Sequence, residues 1–307
     1  MAIAITPGGP LPPGSAVYAT EELDPLVPFW TDVWRRFRRN KLALIGLGWC
    51  FLLIFIAVAA PIITFFNPTT INVADSLAKP SRKHWFGTDI LGRDLYTRIV
   101  YGSQISLKVA IATIIVTIAL SLFVGAMSGF FGGWFDTIFM RLADIFSALP
   151  YIVVVLFFVG RFGRKLWAIV AAIVVIGWMG TARLFRSGVL QVKAQEYIEA
   201  ARAAGCSNSR IILRHILPNA IQPIIVSIAF SIGGAILQES VFSFLGVGFQ
   251  PPTPAWGIMV GESRDYITSA PHLFFFPAGA LVLTVLAFTF IGDGMRDALD
   301  PKLRGAT

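Results

Sequence analysis

Three groups of residues in this sequence have types and spacing that could do chemistry: the histidines, a run of Asp and Arg between residues 84 and 98, and a polar stretch from Tyr197 to Pro218. The histidines, His84, His215 and His272, are scattered, with no H-E-x-x-H pair and no G-x-S-x-G elbow. No G-x-x-x-x-G-K-[ST] phosphate loop is present, so the chain is not expected to bind ATP by itself. No catalytic residue is assigned and the chain does not read as an enzyme. His84, Asp89 and Asp94 are the only set that suggests a metal, and one His with two spaced carboxylates is a poor ligand set. The same segment reads better as a tight fold. There Gly87 and Gly92 permit sharp backbone turns, Asp89 and Asp94 accept from nearby amides, and Arg93 and Arg98 pair with them. No metal site is predicted.

The stretch YIEAARAAGCSNSRIILRHILP, Tyr197 to Pro218, lies between long apolar runs. Tyr197, Ala200, Ala201 and Ala204 follow an i, i+3, i+4, i+7 order and would present a low-relief surface on one helical face, with Glu199 and Arg202 off it. Gly205 stands where the pattern stops, as a residue able to take the left-handed turn that ends a helix. Ser207 can cap a second short helix carrying Ile211, Ile212 and Ile216 on its apolar side, before Pro218 withdraws a backbone donor. The result is a knob on the membrane surface. The plainer alternative is a connector whose alanines favour helix.

The elements that hold these groups are set by composition. Of 307 residues, 56% are hydrophobic and 14% charged, and the mean hydropathy is +0.73. That balance belongs to an integral membrane protein. A net charge of +8 does not argue for nucleic acid, because Lys and Arg punctuate apolar runs instead of forming one basic face. Cys50 in an apolar run and Cys206 in the polar stretch are not expected to form a disulfide.

The predicted fold is all-α, a polytopic protein with six transmembrane helices. Residues 1–28, rich in Pro and Gly and lacking a basic n-region, read as a mobile tail and not a cleaved signal peptide. Residues 29–41 read as an interfacial helix or a basic flank. The spans are placed at 42–66, 105–131, 136–159, 166–183, 219–245 and 272–292, each near the roughly 20 apolar residues a bilayer core requires. An outer loop is expected over 67–104, a polar hairpin over 191–218 and a C-terminal tail over 293–307. Thr113, Thr117, Ser121, Gly125, Gly129 and Gly133 recur every fourth residue, which allows close helix approach and could also border a solute path. Arg141 and Asp144 are predicted to pair, and Pro150 to kink the third span. Ser227, Ser231, Gly234 and Gln238 share one face of the fifth span, either as a hydrophilic path wall or as bonds to neighbouring helices. Even parity puts both termini and the hairpin on one side. Lys and Arg are modestly enriched there, with Arg161, Arg164 and Lys165 on a short outer turn against the trend.

Two motifs then carry a family resemblance. Glu199-Ala200-Ala201, three residues, Gly205, and finally Leu217-Pro218 resembles the EAA loop of ABC importer permeases. The order FGTDILGRD from Phe86, Tyr101-Gly102 and Ile105 to Leu107 closely resembles the C-type permease of oligopeptide and dipeptide importers, as do QPPTPAWG from Gln250 and DGMRDALDPKLRG from Asp293. His215, Tyr96, Gln104 and Ala255 depart from that family's usual residues. The resemblance implies a type I ABC importer permease fold in the bacterial inner membrane, with N- and C-termini cytoplasmic. It implies a B-type permease, two ATP-binding subunits and an extracytoplasmic peptide-binding protein as partners, with ATP and Mg held by those partners and no cofactor on this chain. Glu196, Tyr197, Glu199, Ala200, Ala201, Ala204, Gly205, Leu217 and Pro218 would couple to the ATPase. Close relatives in the family also carry nickel complexes, glutathione or antimicrobial peptides. A channel or assembly factor without an ATPase is the reading from a different class.

Overall fold

The computed structural model describes residues 29–300; the tail expected over 1–28, and 301–307, lie outside that range. The described residues form helices, with no strand beyond an isolated bridge between Thr88 and Asp94. Helix α1 (Phe29–Phe37) stops short of the expected 41 because Asn40 restarts the chain as α2 (Lys41–Ile63), its side-chain oxygen accepting from the Ala43 amide at 3.1 Å. Val33 and Phe37 are buried while Trp30 and Trp34 on the same helix are exposed.

The long loop closes at Asp94, not at 104. Asp94 caps α3 (Leu95–Phe131) by accepting from the Thr97 amide at 2.8 Å. Residues 95–104 look like loop because of their polar side chains, but two of the longest have tertiary partners: Gln104 donates to the Ala57 carbonyl at 2.7 Å and Arg98 lies in a buried ion-pair cluster. The predicted third span is a second correction. It is two helices, α4 (Gly133–Ser147) and α5 (Tyr151–Phe162), bent by 90°. Pro150 lies between them instead of kinking one helix, since it lacks an amide donor and disfavours helical backbone at Leu149. Helix α6 (Leu166–Lys193) runs past Arg183, because Arg183 and Arg186 find carboxylates on α4. It shortens the hairpin at its entry.

The hairpin comprises α7 (Glu196–Ala203), α8 (Asn208–Ile211), a π-helical turn (Ile212–Ile216) and α9 (Leu217–Ala220). Helix α10 (Gln222–Phe244), α11 (Trp256–Glu262) and α12 (His272–Leu299) complete the bundle. The tail expected from Asp293 begins as a continuation of α12, whose Ala298 and Leu299 bury beside Val33 and Phe37.

Side-chain contacts fix the direction of each helix. Along α3 and α6, Ser121 donates to the Trp178 carbonyl at 2.9 Å, a Cβ on Gly125 would lie 2.8 Å from the Ala182 carbonyl oxygen, and Gly129 abuts Val189. The two helices are therefore parallel, and α4 with α5 must return the chain across the bundle between them. The small-residue strip packs against α6 as far as Gly129; Gly133 instead opens α4 at φ +56° with open space beside it. Helix α12 is antiparallel to α2, with Trp49 donating to Thr284 at 3.1 Å and Gly46 against Ala287, and antiparallel to α10, with Gly233 beside Phe288 and Gly292 beside Phe230. Among the described residues five helices are long and apolar enough to cross a membrane, and the bent pair supplies the return, a sixth crossing, that parallel α3 and α6 require. Helix α1, the hairpin and the end of α12 consequently gather at one end.

Candidate functional site

The hairpin is built on three isoleucines. Ile198, Ile211 and Ile216 are each fully buried in one cluster with Phe130, Phe185, Val189 and Ile224. Helices this short are marginal alone, so this burial is what holds them. Ile198 sits between Tyr197 and Glu199 and turns inward with Ala201, which packs against the same cluster, while Ala200 and Ala204 stay exposed. Its anchoring role is hidden in the sequence because a single apolar residue per short helix leaves no period to detect.

The predicted coupling residues are consequently turned outward. Glu196, Tyr197, Glu199, Ala200, Ala204, Gly205 and Pro218 are exposed, and Ala201 and Leu217 are half-buried. Gly205 adopts φ +78° with no atom near its missing side chain, and the Cys206 amide returns to the Ala201 carbonyl at 3.1 Å, closing the helix end. Ser207 caps α8 through the Arg210 amide. Lys193 donates to the Phe130 carbonyl at 2.7 Å, fastening the hairpin's root to α3. Cys50 and Cys206 are both free.

The proposed path residues lie along α10. Ser227, Ser231 and Gly234 are half-buried and Gln238 is exposed. Ser227 turns its hydroxyl onto its own helix at the Ile224 carbonyl, 2.9 Å away, and Gly234 faces open space. Gln238 alone reaches another helix, accepting from the Tyr151 hydroxyl at 2.7 Å. The neighbouring Glu239 is fully buried and turned away, accepting from Ser243 at 2.7 Å; Ser243 in turn accepts the Phe249 amide and shapes the turn after α10. On the basic turn that runs against the charge trend, Arg164 donates to the Gly246 carbonyl at 3.1 Å.

At the end opposite the hairpin, residues 84–98 fold as the clustered turns expected of them. Gly87 and Gly92 take φ +81° and +72°. Asp89 accepts from the Leu91 and Arg93 amides at 2.9 Å and from Arg93 Nε at 2.5 Å. Arg93 then reaches Glu262 at 3.1 Å, and Arg98 lies 3.4 Å from Asp89 and 3.7 Å from Glu262. Asp94 does not pair with an arginine; its partner is His84 Nδ1 at 2.8 Å. Of the three candidate metal ligands, His84 and Asp94 thus pair with each other while Asp89 serves the arginines, and among the described residues no cluster of His, Cys, Asp or Glu is arranged to hold a metal. Asp75 approaches His84 from the other side, and its hydrogen bond from Lys83 holds its carboxyl below the usual carboxylate range. Glu262 and Asp75 were not foreseeable as partners, since the fold alone brings them to this cluster.

Near the hairpin end, Arg186 grips Asp136 of α4 with two contacts of 2.5 Å and Arg183 reaches Asp144 at 2.8 Å. The predicted Arg141–Asp144 pair is present only at 3.8 Å between exposed side chains, because Arg183 is the nearer partner.

A bundle of this shape is shared with a structure of the MetNI methionine ABC transporter, at TM-score 0.55 and 19% identity over 66% of this chain and 96% of that one. Residues 118–305 match the family model described as binding-protein-dependent transport system inner membrane component, and residues 28–80 match the N-terminal TM domain of oligopeptide transport permease C. The oligopeptide transport system permease protein OppC of Bacillus subtilis is 40% identical over 90% of both chains, and the dipeptide permease DppC of the same organism is 42% identical over 91% of this chain and 88% of its own. The glutathione transport system permease protein GsiD of Escherichia coli O157:H7 is 40% identical over 90% of this chain and 91% of its own. A match over more than half the chain, with relatives this similar along nine-tenths of it, leaves one assignment: the protein belongs to the family of inner-membrane components of binding-protein-dependent transport systems, the permease subunits of ABC importers.

Proposed function

We propose that this chain is the C-type permease of an importer that moves oligopeptides or dipeptides across the bacterial inner membrane, with its termini and hairpin in the cytoplasm. The observation that carries this reading is the hairpin: a polar element anchored from beneath by Ile198, Ile211 and Ile216, with Tyr197, Ala200, Ala204 and Gly205 left uncovered. A rigid, low-relief knob at the end of a long helix suits a mechanical coupling better than a passive channel does. ATP and Mg are bound by two partner ATPases, a B-type permease completes the path, and an extracytoplasmic binding protein delivers cargo. Ser227, Ser231, Gly234 and Gln238 form part of the path wall. Closure of the ATPases shifts the population between inward- and outward-open arrangements through α6.

Reconstitution with the partner subunits tests this. Uptake of labelled peptide should require ATP and the binding protein, and Glu199→Lys should abolish both uptake and recovery of the ATPase with the permease. Uptake without an ATPase would overturn the reading. Glutathione, itself a short peptide, is the second cargo to assay, because GsiD is as similar to this chain as OppC is.

A further inference from the structure

The break at Ala148–Pro150 divides a crossing whose halves both rest on α6, the first through ion pairs and the second through Val155 packed on Ile169 and Ile173, but only the second reaches α10 through a hydrogen bond. Before the break, α4 is held to α6 by Arg186–Asp136 and Arg183–Asp144. Helix α6 leads directly into the hairpin, so α4 must follow any movement there. After it, Tyr151, the first residue of α5, donates to Gln238 on α10 at 2.7 Å, and its ring packs 5.1 Å from that of Phe242. Open space lies on both sides of this contact. One turn towards the hairpin, Gly234 has no atom near its missing side chain. Towards the other end, a cavity of about 450 Å³ is lined by Leu156, Val159, Gly160, Arg164 and Gln250.

We propose that the Tyr151–Gln238 hydrogen bond is a latch closing the solute path on the side away from the hairpin, and that Tyr151 is a positioning residue for transport. The inference rests on the reading of Ser227, Ser231, Gly234 and Gln238 as path wall. A hydrogen bond beside exposed Gln238 competes with water, so it biases an equilibrium by only about two- to tenfold, which suits a contact that must open in every cycle. Movement of α5, carried with α6, relative to α10 is the motion that releases it.

The test uses the complete transporter in right-side-out vesicles, with Cys50 and Cys206 replaced by alanine and one cysteine placed at Ser231 or Gly234. A membrane-impermeant maleimide is added from outside. Tyr151→Phe keeps the ring against Phe242 and removes only the donor; Gln238→Leu removes the acceptor. Each is expected to raise the labelling rate at rest about two- to tenfold, with the double variant no faster than either single one. Labelling that appears during ATP turnover but is unchanged by either substitution would keep the path and overturn the latch. Absence of labelling in every state would overturn the path reading, and the latch with it. Co-purification of the partner subunits reports that each variant assembles.

Discussion

Lys193, the last residue of α6, donates from Nζ to the backbone carbonyl of Phe130, one residue before the end of α3, at 2.7 Å. The Phe130 ring, nearly buried, also lies 5.7 Å from the Lys193 ammonium and 5.6 Å from the Arg202 guanidinium of α7. Phe130→Ala should therefore do two things. It removes core volume at a cost of about 3–5 kcal/mol, and it loosens the hairpin. Phe130→Leu keeps most of the volume and loses the cation–π contacts, at about 0.5–2 kcal/mol. Thermal unfolding in detergent should rank wild type above Leu above Ala, and limited proteolysis should cut first within 194–210.

Gly205 gives a separable effect. Its φ of +78° is reached freely only by glycine, yet nothing surrounds the place a side chain would occupy. Gly205→Val is penalised through its backbone alone, by about 1–2 kcal/mol. The penalty falls on the hairpin turn, so global stability should fall by no more than that amount while ATP hydrolysis continues without matching uptake. Gly205→Asn, which tolerates the left-handed region, should retain more coupling than Val. Equal coupling in Val and wild type would show that the turn's geometry is not used.

Much of this architecture was legible from the chain, and the failures have physical causes. The span count, the Gly205 turn, the Ser207 cap and the close approach at Gly125 follow from local rules: hydropathy, backbone freedom and side-chain size. The start of α3 was missed because Arg98 and Gln104 look like loop residues until their partners at Glu262 and Ala57 are in place. The third crossing looks like one kinked helix in the sequence because Pro150 is visible there and the 90° angle is not. Arg141 was paired with Asp144 on spacing alone, when the better partner, Arg183, is distant in sequence. Hidden as well was Tyr151, whose contact with Gln238 is purely tertiary.

The buried cluster at the end opposite the hairpin should be intolerant of single changes. Arg93 and Arg98 are almost completely buried, and Asp89 supplies the carboxylate both approach. Asp89→Asn would leave two buried guanidinium groups with Glu262 as their remaining acidic partner, a loss of about 3–5 kcal/mol. Glu262→Gln should cost less, since Glu262 is partly exposed and water can replace it. The yield of folded protein after extraction, and its unfolding temperature, should follow that order.

The two ion pairs between α4 and α6 offer a test of how far α4 is bound to the coupling element. Arg186 and Asp136 meet through two contacts of 2.5 Å and are only partly exposed, at 32% and 24%. Their pairing lies between a surface salt bridge and a buried one, at about 1–3 kcal/mol. Arg183 and Asp144 are more exposed, at 43% and 53%, so screening should leave that pair a smaller share. Asp136→Arg places like charges together and should reduce peptide uptake more than Asp144→Arg does. Combining Asp136→Arg with Arg186→Asp restores an ion pair with its direction reversed. If α4 moves as one body with α6, the exchanged pair should recover uptake and stability together. Recovery of stability without uptake would mean that the charges themselves, and not the fastening they provide, are what transport requires.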